Sequence, residues 1–181
     1  MATNSTIFKI DLQIADLDRH YYHDHSLTIA RHPSETDERM MVRVLAFAFH
    51  ASEQLVFGKG LSTEDEPDLW LKTLTDEVEV WIDVGQPDEK RIRRACGRSR
   101  QVFVYVYGGN IADNWWHQNQ KRLKQLDKLV VYQVPEQASK ALAELVQRTM
   151  QIQCTIQDGE MMFVDGEMTV QFALQTLKPA S

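Results

Sequence analysis

The sequence contains little cysteine, glycine or proline, and each shortage excludes a class of protein. Its 181 residues include two cysteines, eight glycines and five prolines. Cys96 and Cys154 are too few for a disulfide framework, and their wide separation differs from the paired spacing of a zinc site. With no glycine-rich or proline-rich tract to separate domains, we predict a single domain over residues 1–181.

Long apolar runs are also missing. No run approaches the roughly 20 residues that a membrane-spanning helix needs. The opening segment MATNSTIFKIDLQIAD lacks the basic start and continuous apolar core of a signal peptide. We therefore expect no membrane partner and a cytoplasmic location.

An excess of positive charge is absent as well, since the formal net charge is −6. Proteins that coat nucleic acid gain affinity from clustered lysine and arginine, so any nucleic-acid contact here must be local. The sequence also lacks a glycine-rich phosphate loop, a nucleophile elbow and a dinucleotide fingerprint. These absences give no support to nucleotide-cofactor chemistry or acyl transfer.

Both ends of the chain have the alternating pattern of half-buried strands. Between Ile7 and Ile14 apolar and polar residues alternate, and a second strand is predicted near residues 22–30. Near the C-terminus the segment QIQCTIQ alternates in the same way and is followed by the turn signal QDG. The pattern predicts a β-hairpin at each end, whose exposed strands offer a protein partner an edge to extend.

The middle of the chain predicts alternating helices and strands. A helical period begins after Pro33 and continues to Leu55, with Glu53 on the margin of its apolar face. Two strands, DLWLKTL and EVEVWIDVG, precede a helix over residues 88–97, and QVFVYVYGG is apolar enough for a central strand. Further helices are predicted at residues 113–126 and 136–149. We predict an α/β (α+β) fold with a mixed central sheet flanked by helices.

Four residues of this middle region have types that phosphodiester hydrolysis requires. Glu53, Asp68 and Asp83 supply carboxylates, and Lys90 follows on a helix crowded with basic side chains. Hydrolysis needs a hard cation on oxygen ligands, an activated water and a positive group near the transition state. The order predicts a Mg²⁺ or Mn²⁺ site, although a chain with 26 acidic residues offers many such orders by chance.

Structural roles explain the same residues without chemistry. Asp68 belongs to the acidic run STEDEPD, which is typical of a solvated loop. Asp83 interrupts an apolar strand, and a hydrogen bond or ion pair with the next helix would satisfy it. Lys90, Arg94 and Arg98 recur along one helix side, where they form either a phosphate track or a solvated face.

Longer segments carry a family resemblance. The strings RHPSETDERMMVRVLAFAFHASEQL, EDEPDLW, WIDVGQPDEKRIRRAC and WWHQNQ resemble those of the YaeQ family of small bacterial proteins. The resemblance extends over nearly the whole chain. It implies the fold of the PD-(D/E)xK nucleases of restriction-endonuclease type, with a core of one helix, three strands, a helix and a strand near residues 34–107.

The resemblance also implies roles for individual residues. Asp68 matches the first acid of the nuclease motif, Asp83 the second, and Glu53 an additional acid on the first helix. The motif lysine is expected two residues after Asp83, but Gly85 stands there. Since some nucleases of this type carry the lysine on the following helix, Lys90 is the predicted replacement.

Other basic residues compete for this position. Arg91, Arg93 and Arg94 neighbour Lys90, but arginine keeps its proton and therefore suits phosphate binding better than proton transfer. Gln86 is predicted to face the same site, where it would hold a water or a base edge.

Two functions therefore follow from the sequence. The first is a divalent-metal-dependent phosphodiester hydrolase that acts on nucleic acid with Glu53, Asp68, Asp83 and Lys90. The second is a nuclease-like scaffold without turnover that binds nucleic acid through the local basic helix, or binds a protein partner. The displaced lysine and the acidic net charge favour the second.

Overall fold

The computed structural model describes residues 4–181, which fold as a mixed α+β protein with two sheets. The strands within this range are β1 Thr6–Asp16, β2 Tyr21–Arg31, β3 Leu55–Phe57, β4 Leu69–Lys72, β5 Val78–Val84, β6 Ser99–Val106, β7 Leu129–Gln133, β8 Thr149–Gln157, β9 Glu160–Val164, β10 Thr169–Ala173 and β11 Gln175–Lys178. The α-helices are α1 Asp37–His50, α2 Glu89–Arg98, α3 Asn110–Leu123 and α4 Glu136–Ala143. None of these helices is long and apolar enough to span a membrane.

The chain forms two compact units. The first comprises the chain up to Phe49 together with Gln137–Leu174, and the second comprises His50–Glu136 and Gln175–Ser181. Each unit contains one of the sheets. The predicted α+β class, with mixed sheet and flanking helices, is confirmed.

The first unit is built on the sheet β10-β9-β8-β1-β2. The two predicted hairpins both lie in it, because β1 pairs antiparallel with β2 and parallel with β8. The apolar side of β1 is buried, as its alternation predicts; that side consists of Phe8, Ile10, Leu12 and Ile14. Strands β2 and β10 are the two edges of this sheet.

The second unit is built on the sheet β11-β7-β6-β5-β4-β3. Strand β6 is parallel to both β5 and β7, which agrees with the central position predicted from its apolar run. Helices α2 and α3 contribute to a buried core against this sheet, which includes Trp81, Ile92, Ala95, Cys96, Val102, Val104, Val106, Ala112, Leu123, Leu129 and Val131.

Several predicted boundaries are wrong. The last helix ends at Ala143, and Thr149 already begins β8. The short strands β3, β10 and β11 were not predicted at all. Helix α1 ends at His50 because Ser52 Oγ accepts hydrogen bonds from the backbone N–H groups of Gln54 and Leu55, at 3.3 and 3.1 Å. Such local bonds compete with continued helix, so the apolar residue Leu55 enters a strand instead.

Candidate functional site

Asp68 and Asp83 are brought together in the second unit. Leu69 pairs with Ile82 in the antiparallel β4–β5 ladder, so Asp68, one residue before β4, stands opposite Asp83. Residues opposite each other in such a ladder project on the same side of the sheet. Both aspartates are buried, with 3% and 2% of their surface exposed. The solvated-loop interpretation is therefore wrong for Asp68.

Asp68 is positioned by backbone groups of the neighbouring strand and loop. Its Oδ2 accepts a hydrogen bond from the N–H of Val84 at 2.8 Å. Gly60, in the one-turn 3₁₀ helix Gly60–Ser62, has a φ of +47°, and a Cβ on it would lie 2.3 Å from Asp68 Oδ1. A glycine is thus required for the loop to pass this close to the carboxylate.

Asp83 is held by Arg91 of α2. Arg91 Nε donates to Asp83 Oδ2 at 2.9 Å, and Arg91 Nη2 donates to Oδ1 at 3.1 Å. This two-point geometry is the strongest that an arginine and a carboxylate form. The structural alternative foreseen for Asp83, an ion pair with the following helix, is confirmed.

The electrostatics of Arg91 depend on both aspartates. Burial lowers its pKa, but the hydrogen bond and charge of Asp83, with the charges of Asp68 and Glu64, outweigh burial and raise it. Arg91 therefore stays protonated and cannot act as a general base. Arg91 is a fixed cation for the buried carboxylates.

Lys90 does not take the position predicted for it. Asp88 caps α2 by accepting a hydrogen bond from the backbone N–H of Lys90 at 2.8 Å, and the Lys90 side chain is exposed. The buried residues Ile92, Ala95 and Cys96 fix the rotation of α2, which brings the neighbouring Arg91 to the aspartates. Sequence reasoning named Arg91 only as a rival of Lys90.

Glu53 and Gln86 do not join the aspartates as predicted. Glu53 lies beyond the end of α1, in an exposed turn before β3, so its predicted place on the helix is wrong. Gln86 is exposed, and its side-chain amide donates to the carbonyl of Tyr107. Arg94 is exposed and approaches Glu64, with 3.9 Å between Nη2 and Oε2.

A divalent metal does not fit this arrangement. Both oxygens of Asp83 accept from Arg91, and one oxygen of Asp68 accepts from Val84. Across residues 4–181 no group of three or more histidine, cysteine, aspartate or glutamate side chains is placed to hold a metal ion. The Arg91 guanidinium already supplies a cation to Asp83 through two hydrogen bonds, and its charge also interacts with that of Asp68.

Trp81 forms an aromatic platform beside this pair. The guanidinium carbons of Arg91 and Arg98 lie 5.7 and 5.4 Å from its ring centroid, and the ring of Trp70 meets it edge-on. In the described part of the chain the indole N–H of Trp81 has no acceptor. The arginine side of α2 therefore adjoins an unused hydrogen-bond donor.

Comparison with known proteins identifies the family. The model of the family described as YaeQ protein matches residues 1–174. The chain belongs to the YaeQ family. The YaeQ protein of Salmonella typhi is 42% identical over 174 residues, and that of Escherichia coli K12 is 41% identical over 174 residues, with 96% of each chain covered in both comparisons.

Solved YaeQ structures have the same fold as this family member. The crystal structure of the YaeQ protein from Xanthomonas axonopodis pv. citri has a TM-score of 0.95 and 46% identity, and the match covers 98% of this chain and 100% of that one. The Pseudomonas syringae YaeQ structure has a TM-score of 0.93 and 39% identity, covering 97% of each chain. The family resemblance seen in the sequence is confirmed.

The backbone at Gly85 explains why a lysine is absent there. Gly85 has a φ of +100°, which disfavours residues with a side chain. We expect Gly85→Lys to lower the free energy of unfolding by about 1–2 kcal/mol because of this strain. Thermal unfolding of the variant measures the effect.

The matched control is Gly97→Lys within α2. A Cβ at Gly97 has no neighbour within 4 Å, and its φ lies outside the positive range. Lysine is a better helix former than glycine, so this variant is expected to gain about 0.5–1 kcal/mol. Equal melting temperatures for the two lysine variants would contradict the role of backbone strain at Gly85.

Proposed function

We propose that this YaeQ-family protein binds nucleic acid through α2 on a nuclease-like scaffold that does not hydrolyse it. The observation that carries the proposal is the two-point ion pair between Arg91 and Asp83, which engages a carboxylate that hydrolysis would need for a metal. Support for the nuclease-like scaffold comes from the chain order α1, β3, β4, β5, α2, β6. This order is the one that the PD-(D/E)xK resemblance implies.

Local charge supports nucleic acid as the ligand. Helix α2 has five basic residues and one acidic residue, whereas the whole chain has a net charge of −6. Lys90, Arg93, Arg94 and Arg98 are exposed on it. A concentrated positive helix on an acidic protein attracts phosphate to one place and leaves the rest of the surface repulsive.

A salt titration of oligonucleotide binding tests this proposal. Neutralising Arg93 and Arg94 together as glutamines removes two phosphate contacts, so the slope of log affinity against log salt is expected to become shallower by about 1.4 for a single strand. Binding by the parent protein is expected to persist in EDTA. Fluorescence anisotropy with a labelled single strand measures both effects.

The matched control neutralises Lys121 and Arg122, which are exposed on α3 of the same unit. It removes the same charge from a different helix, so the slope is expected to stay near that of the parent protein. If both double variants weaken binding equally, the interaction is a general charge effect and α2 is not the site. If the parent protein binds no nucleic acid, a protein partner at the sheet edges β2 or β10 becomes the better hypothesis.

Metal-dependent phosphodiester hydrolysis is the second candidate. It is favoured by the buried, opposed placement of Asp68 and Asp83. This function requires Arg91 to leave Asp83 before Mg²⁺ or Mn²⁺ binds. Strand cleavage that needs the metal, stops in EDTA and disappears in Asp83→Asn would establish hydrolysis and refute the proposal of a scaffold without turnover.

A further inference from the structure

Three arginines of α2 face one short acidic segment of the chain. The arginine face consists of Arg91, Arg94 and Arg98, which are spaced so that they lie on one side of the helix. The acidic strap consists of residues 64–66, which are Glu64, Asp65 and Glu66. Each arginine of the face contacts a residue of the strap.

The contacts run along the whole strap. Arg91 donates to the carbonyl oxygens of Glu64 and Glu66 at 3.1 and 2.9 Å. Arg98 donates to the carbonyl oxygen of Asp65 at 3.4 Å. Arg94 adds the ion pair with the Glu64 side chain. The strap thus presents acceptor oxygens and negative charge to the guanidinium groups, as a phosphate chain would.

The contacts differ in how readily they break. Arg91 is anchored by Asp83, and only 19% of its side chain is exposed. The Arg94–Glu64 pair is long, with 64% and 84% of the two side chains exposed, so solvent screens it. The Glu66–Lys59 pair is equally long, with 3.9 Å between Oε2 and Nζ, and 71% of the Lys59 side chain is exposed. The contacts of Arg94 and Arg98 with the strap are therefore the weak ones, whereas the hydrogen bonds from Arg91 hold the strap backbone at Glu64 and Glu66.

We infer that the acidic strap is an internal competitor of the anionic ligand at the arginine face, so nucleic acid binds when it replaces the strap's contacts with Arg94 and Arg98 while Arg91 keeps its own. The inference rests on the proposed function and adds its regulation. The carboxylates of the strap repel phosphate and therefore lower the affinity of the arginine face for nucleic acid. Removing their charge relieves this repulsion, although the backbone carbonyls of the strap remain.

The test compares two charge-matched triple variants in the full-length chain. The first replaces Glu64, Asp65 and Glu66 with Gln, Asn and Gln. The second, the control, is Asp113→Asn, Asp127→Asn and Glu144→Gln, three exposed acids outside the strap. We expect the strap variant to bind a labelled single-stranded oligonucleotide about tenfold more tightly than the control at roughly 50 mM salt.

A further variant links the gain to the arginines. When Arg94→Gln and Arg98→Gln are added to the strap variant, the gain over the control is expected to disappear. Equal affinity of the strap variant and the control would overturn the inference, and so would a gain that survives loss of both arginines. If α2 neutralisation weakens binding while the strap variant matches its control, the proposed function stands and the strap inference fails. If no variant binds the oligonucleotide, both fail.

Discussion

Asp83→Asn is expected to lower the melting temperature of the protein by about 8 °C. The substitution replaces a buried carboxylate that accepts two hydrogen bonds from Arg91 with an amide that offers one acceptor oxygen. Breaking a buried pair costs about 3–5 kcal/mol; because part of Arg91 is exposed, we expect about 2–3 kcal/mol. At about 2–4 °C per kcal/mol for a chain of this size, this gives the stated shift. Thermal unfolding followed by circular dichroism measures it.

Asp76→Asn is the control for this prediction. Asp76 is an exposed aspartate that pairs with Lys72, so its replacement is expected to cost below about 0.5 kcal/mol. Combining Asp83→Asn with Arg91→Gln closes a double-mutant cycle, in which contacting partners show a coupling of about 0.5–3 kcal/mol. A coupling near zero would mean that Asp83 is not engaged by Arg91 in solution, which would leave the carboxylate available to a metal.

Strong periodicity made strands β1, β2 and β8 of the first unit predictable. In β1, residues such as Ile10 and Leu12 alternate with polar neighbours, and they are buried as the pattern requires. The joining of β1 to β8 was not predictable in this way. That pairing links residues more than a hundred positions apart, and the periodicity of a strand does not indicate which other strand it pairs with. Both hairpins were therefore predictable, but their joining into one sheet was not.

The candidate site was predictable in its residue types and less so in its geometry. Asp68 and Asp83 were named from their residue types, and the β4–β5 ladder is what brings them opposite each other. Glu53 was misplaced because Leu55 continued the helical apolar period, while the hydrogen bonds to Ser52 that end the helix leave no periodic signal. Lys90 was preferred over Arg91 by analogy with a motif, whereas the packing of α2 decides which side chain reaches Asp83.

Arg91→Ala is expected to make the two aspartates a binding site for Mn²⁺, and binding of the metal is expected to stabilise the folded protein. The variant leaves buried carboxylates at Asp68 and Asp83 without their cation, which is itself expected to cost about 3 kcal/mol. Carboxylate oxygens are suitable ligands for Mn²⁺. A metal that binds only the folded state, at about 100 times its dissociation constant, raises the free energy of unfolding by about 2.7 kcal/mol.

The measurement is the melting temperature of parent and variant proteins with and without Mn²⁺. We expect the metal to raise that of Arg91→Ala by about 5–10 °C and to leave the parent protein unchanged. Arg91→Ala combined with Asp83→Asn is the control, since it lacks both the arginine and one carboxylate and is expected to lose the response. A Mn²⁺-dependent rise in the parent protein that disappears in Asp83→Asn would show that metal displaces Arg91 without help. In that case the two aspartates already form a working metal site, and hydrolysis becomes the better account of this protein than binding alone.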